Sequence, residues 1–153
     1  MHAAYEVAGV GPSGSLLAPA YHCRTMLDPA LALSGSVFLY PVGRNLTPQL
    51  ADIHAMVAKC QPRVKALVVP HYFGFEQPQE LMDDLAALCS LNGITLVEDC
   101  SHSWQIAIKR IRQYPPKAGH VLIGSPYKFF ACDGGGTLWS NSGEFGARNQ
   151  QTP

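Results

Sequence analysis

Residues 66–99 read ALVVPHYFGFEQPQELMDDLAALCSLNGITLVED, and the fold class follows from this stretch. It opens on four apolar residues, Ala66 to Val69, stopped by Pro70-His71. Pro78 then starts a helix with Leu81, Leu85, Leu88 and Cys89 on one face, ended by Asn92-Gly93. A second apolar run, Ile94 to Val97, carries Glu98-Asp99 at its far end. Neither run alternates apolar with polar residues, as a strand with one wet face would. Both read as strands covered on two sides with a helical crossover between them, which predicts a mostly parallel sheet.

The same unit recurs on either side. Upstream, Ser15 to Ala18 is a short strand stopped by Pro19, and Ala3 to Gly14 reads as the tail of a helix. Thr25 to Leu33 has helical character, with Pro29 limiting its first turn. Val37 to Val42 is a continuous apolar run of strand length. Thr47 then caps a helix with Pro48 at its first position and Leu50, Ile53, Met56 and Val57 on one face. Downstream, Val121 to Ile123 and Thr137 to Trp139 are further short strands. The expected architecture is α/β, a mostly parallel sheet with helices on both faces. Residues 1–141 form the folded part, and 142–153 are expected to be a disordered tail.

Composition narrows the classes. The chain has 153 residues, 47% apolar and 14% charged, with 11 basic residues against 11 acidic ones. That is too apolar for a disordered chain, and no basic cluster offers itself to phosphates, so nucleic acid is not an expected partner. No apolar run approaches the roughly 18 residues of a membrane span. The N-terminus lacks the basic and apolar regions of a signal peptide, so a cytoplasmic location is expected. The five cysteines (23, 60, 89, 100 and 132) contain no CxxC pair; they read as small buried hydrophobes in a reducing compartment, without a metal site.

Ligands of parallel sheets bind outside the carboxyl ends of the strands. His71, Asp99 and the segment after Ile123 all sit at such ends and can converge from far apart in sequence. Asp99 ends a buried strand, with His102 three residues on. Lys128 lies in Gly124-Ser125-Pro126-Tyr127-Lys128-Phe129-Phe130, and apolar surroundings would favour its neutral amine, the form that makes Schiff bases with aldehydes. A buried aspartate facing a ring nitrogen keeps that nitrogen protonated, which an electron-sink cofactor requires.

VEDCSHS (97–103), GSPYK (124–128) and CDGGGTLW (132–139), in that order, resemble the large domain of the DegT/DnrJ/EryC1/StrS aminotransferases. Leu17-Ala18-Pro19-Ala20-Tyr21-His22-Cys23 and Val68-Val69-Pro70-His71-Tyr72-Phe73-Gly74 extend the likeness upstream, so that it covers residues 7–141. The resemblance implies a fold type I pyridoxal-phosphate enzyme that moves an amino group from an amino acid to a nucleotide-linked keto-sugar, in polysaccharide biosynthesis, with a homodimer as the intact parent. It implies that Lys128 binds pyridoxal phosphate covalently, that Asp99 pairs with the pyridine nitrogen and that His102 lies close to the cofactor ring. Ser125 stands in for the phosphate-binding serine, three residues before the lysine where the family usually has five. The aromatic residue that stacks on the cofactor is usually four residues after the proline matching Pro19; Cys23 is there, and Tyr21 or His22 takes its place. Family members are more than twice this long. The chain therefore reads as part of the large domain, without the N-terminal phosphate-binding turn or the C-terminal domain.

Other readings stay open at this stage. A truncated chain of this kind is either a cofactor-binding half-site or a non-catalytic remnant that serves as a scaffold or partner chain. His102 is either a cofactor neighbour or a structural histidine, and His71 leans to structure or substrate-side packing. A metal hydrolase built on His71, Asp99, His102 and His120 lacks any ligand pair at helix spacing. Gly134-Gly135-Gly136 reads as a tight turn rather than a phosphate cradle. Cys100, Cys132, Trp104 and Trp139 read as packing residues.

Overall fold

The structure is a computed structural model that describes residues 1–141; the tail expected over 142–153 lies outside the described residues. Among these, six strands form one sheet: β1 (Ser15–Pro19), β2 (Val37–Tyr40), β3 (Val64–Pro70), β4 (Thr95–Asp99), β5 (His120–Gly124) and β6 (Thr137–Ser140). Their order is β2-β1-β3-β4-β5-β6. The first five are parallel, and β6 returns antiparallel along β5, with Leu138 opposite Ile123. The five α-helices among the described residues are α1 (His2–Ala8), α2 (Arg24–Ala32), α3 (Leu50–Lys59), α4 (Gln79–Asn92) and α5 (Trp104–Gln113). None of the described helices is long and apolar enough to cross a membrane.

The unbroken apolar runs are explained by a core on each face. Odd and even residues of one strand point to opposite sides of the sheet. Leu17, Leu67, Val69 and Leu96 therefore pack with Ile53 of α3 and Leu85 of α4. Leu16, Ala66, Val68 and Val97 pack on the other side with Tyr5 of α1 and Met26 of α2. Two tyrosine hydroxyls inside this core donate to backbone carbonyls, Tyr5 to Met26 at 2.9 Å and Tyr40 to Val68 at 2.7 Å, so neither is left unpaired.

Several local expectations change. The Thr47-Pro48 pair does not start α3. Thr47 is held in the preceding turn, where its N–H donates to Asn45 Oδ1 and its carbonyl accepts from Gly43 N–H, and the helix begins at Leu50. Pro29 lies inside α2 rather than limiting it. The helix α5 was not expected from sequence. Cys100 is buried as expected, but Cys23 and Cys132 are exposed. Trp104 and Trp139 do pack together, with ring centroids 5.7 Å apart. Gly134 and Gly135 both adopt positive φ on the way into β6.

The strand order positions the site. From β1 the chain moves to β2 on one side, then crosses back to β3 on the other. The direction of winding thus reverses between β1 and β3, and at such a switch point the strand ends leave a crevice.

Candidate functional site

That crevice is a cleft of about 350 Å³ at the carboxyl ends of β1, β3, β4 and β5. It is lined by Tyr21 and His22 after β1, Tyr72 and Phe73 after β3, Asp99 and His102 from β4, and Ser125 and Lys128 after β5. All five residues singled out from the sequence, Tyr21, Asp99, His102, Ser125 and Lys128, therefore border one cavity, although they span positions 21 to 128.

Their environments differ. Asp99 is 7% exposed, and its Oδ1 accepts from Ser101 N–H at 2.8 Å. The Met1 amine lies in the same wall; burial lowers its pKa, partly opposed by the charge of Asp99. His102 and Lys128 are exposed. The apolar enclosure expected around Lys128 is not supplied by the described residues, because Phe129 and Phe130 also face outward. The Tyr21 backbone is held by the Tyr72 hydroxyl, which donates to its carbonyl, and the two rings pack with centroids 5.5 Å apart. Cys23 Sγ is paired with Thr25 Oγ1 at 3.0 Å at the start of α2.

Beneath the cleft floor lies a buried charge cluster that sequence reasoning missed. Glu98 points to the face opposite Asp99 and is 1% exposed. Its Oε1 accepts from His71 Nε2 at 2.6 Å and lies 2.6 Å from Arg110 Nε; its Oε2 is 2.9 Å from His120 Nε2. Gln77 N–H donates to His71 Nδ1 at 3.0 Å, which fixes the proton of that ring on Nε2. Burial by itself would raise the Glu98 pKa. The hydrogen bonds from His120 and His71 and the charge of Arg110 outweigh it, and they hold the carboxyl well below the usual carboxylate range. Arg110 Nη1 also bonds Gln79, while Nε is directed past the carboxylate and meets it as an ion pair without a hydrogen bond. The signal for this cluster lay in α5, where Arg110 shares a helical face with Ile106 and Ala107.

The metal-hydrolase set is not assembled. His71 and His120 are taken by the two oxygens of Glu98, whereas Asp99 and His102 face the cleft. Among the described residues, one set of metal-type donors has its ligand atoms within 4.8 Å of one another: His71, Glu98 and Cys100. Both nitrogens of His71 are already bonded, Glu98 faces Arg110, and burial followed by the Glu98 and Asp99 charges pushes the Cys100 thiol up, away from the thiolate a metal needs.

Comparison with known proteins agrees with this architecture. An aminotransferase TlmJ from Streptoalloteichus hindustanus superposes with a TM-score of 0.67 at 25% identity, over 92% of this chain and 37% of that one. A DegT DnrJ EryC1 StrS aminotransferase from Brucella abortus gives 0.74 at 17% identity, over 92% and 39%. The sugar aminotransferase CalS13 from Micromonospora echinospora gives 0.65 at 23%, over 91% and 38%. The chain thus spans between 37% and 39% of the length of these solved structures. The sequence profile of the DegT/DnrJ/EryC1/StrS aminotransferase family matches residues 1–150. With its fold shared and nearly its whole length matched, the chain belongs to the DegT/DnrJ/EryC1/StrS aminotransferase family.

Proposed function

We propose that this chain is the lysine-bearing part of an aminotransferase that uses pyridoxal phosphate to move an amino group from an amino acid to a nucleotide-linked keto-sugar. The observation that carries this reading is the cleft itself: the Lys128 amine, the Asp99 carboxylate, the Ser125 hydroxyl and the rings of Tyr21, Tyr72 and Phe73, from four strand ends around one cavity of about 350 Å³. The residues present fit the cofactor. Asp99 offers a carboxylate to a protonated ring nitrogen, Lys128 an amine to an aldehyde, and Ser125 a hydroxyl to a phosphate oxygen. His22 Nδ1 in the cleft wall is buried with no hydrogen-bond partner, a polar atom suited to a polar ligand.

Pyridoxal phosphate, when bound, supplies an aldehyde that joins amines and a conjugated ring that takes up an electron pair. The chain supplies the rest. Asp99, fixed through Oδ1 by Ser101 N–H, keeps a proton on the ring nitrogen. Lys128 holds the cofactor and, once free, moves a proton at its Nζ. His102 and Tyr21 bound the ring and orient it. The assembly we infer is a homodimer; the exposed Tyr127, Phe129 and Phe130 beside the cleft support an apolar contact there.

Incubation with pyridoxal 5′-phosphate, borohydride reduction and peptide mapping tests the assignment. One stoichiometric label is expected on Lys128, absent from Lys128→Ala. A label scattered over several lysines, or none, favours the second reading, a non-catalytic chain with the family fold. The exposure of Lys128 is the observation on that side.

A further inference from the structure

Phe73 has a left-handed backbone, φ 52° and ψ 27°, a conformation disfavoured for any residue with a β-carbon and rarer still for a bulky one. Burial does not compensate, because the residue is 59% exposed. The turn around it is locked from outside. Ser103 Oγ donates to the His71 carbonyl at 2.7 Å and accepts from Gly74 N–H at 3.2 Å, and Phe75 N–H donates to the Tyr72 carbonyl at 2.8 Å. His71 is itself anchored to Glu98. The result of these constraints is a phenyl ring standing in the cleft wall, stacked on the His102 imidazole with centroids 5.8 Å apart and planes 7° apart. Tyr21 meets it edge-on, at 6.4 Å and 66°. Glycine would satisfy the backbone better, so what the side chain adds here is its ring contacts.

We propose that Phe73 is a positioning residue: by stacking on the His102 imidazole it holds that ring in one orientation, in which it meets the planar ring of the cleft ligand. The identity of that ligand as pyridoxal phosphate rests on the function proposed above; the stacking of Phe73 on His102 does not.

The test uses the full chain and two readouts. Without ligand, the His102 Cε1–H resonance, assigned by its loss in His102→Gln, reports the ring current of Phe73. With pyridoxal 5′-phosphate as probe, equilibrium dialysis gives an affinity. Phe73→Gly is expected to fold with a Tm equal to or above the wild type, to shift the His102 resonance, and to weaken binding roughly two- to tenfold, the range for one aromatic pair. Phe73→Tyr is expected to restore both. An unmoved His102 resonance in Phe73→Gly, or equal affinities in the two proteins, overturns the proposal. So does a Tm lowered by many degrees, because Phe73 would then be a packing residue. If wild type binds no pyridoxal phosphate, the functional reading fails, and the His102 resonance alone decides whether Phe73 orients that ring.

Discussion

Glu98 and Asp99 are adjacent in sequence and live in opposite surroundings. Strand alternation sends Asp99 to the cleft and Glu98 into a buried cluster with His71, His120 and Arg110. The Glu98 carboxyl is held well below its ordinary range. The unfolded chain takes up this proton near pH 4.3, while the folded chain does so only at lower pH. Between those values the unfolded state binds more protons, so the stabilisation is fully present above the unfolded value and is lost as pH falls towards the folded one. Urea unfolding should therefore show the wild type losing stability more steeply than Glu98→Gln from about pH 5 to about pH 3. At neutral pH, Glu98→Gln should cost about 3 kcal/mol, the lower end of the range for breaking a buried ion pair, because Glu76 remains 3.5 Å from Arg110 Nε. At this scale the cleft residues were legible, since reactive groups at the ends of buried strands have few other places to point. The partners of Glu98 were not, because they come from positions 71, 110 and 120 and nothing local to residue 98 names them.

Elements were legible where one face is purely apolar. The periodicity of α4 and its Gly93 stop are both found, with Gly93 at φ 62°. Helix α5 escaped because a buried arginine occupies a core position and interrupts its apolar stripe. Its N-cap serine also gives no capping bond, since the Ser103 hydroxyl is bonded to His71 instead. The start of α3 was misplaced for a similar reason: Thr47 looks like a cap but is used by the turn before it. The junction of β5 with the lysine segment depends on close approach. A β-carbon added at Gly124 would meet Thr137 Oγ1 at 3.0 Å, Trp139 Cζ3 at 3.2 Å and Trp104 Cζ3 at 3.3 Å. Gly124→Ala should therefore push β6 and α5 outward and lower stability by about 1–3 kcal/mol, the usual cost of overpacking. Thermal unfolding measures the loss, and an unchanged Tm would show that the two tryptophans yield freely.

For the whole molecule, sequence pattern gave a parallel sheet clothed on both faces but not the order of its strands, because crossover direction leaves no mark on local periodicity. The observed order has β1, β3, β4 and β5 in the interior and β2 and β6 at the edges. Every residue of β6 is only half-buried, while β1 is fully buried. Hydrogen exchange should accordingly be slowest in β1, β3 and β4 and faster by orders of magnitude in β6. Uniform protection across the sheet would contradict this gradient.

The cleft has one more consequence, for folding. Its walls come from segments that begin at residue 21 and end at residue 128, each delivered by a different strand. The complete lining is present only in a sheet that includes β5, because Ser125 and Lys128 follow that strand. A molecule that needs all of these walls binds the finished fold, and so stabilises the native state as a unit, by an amount that grows with the logarithm of its concentration. A chain with such a molecule bound would thus spend less time unfolded and be cut more slowly by proteases.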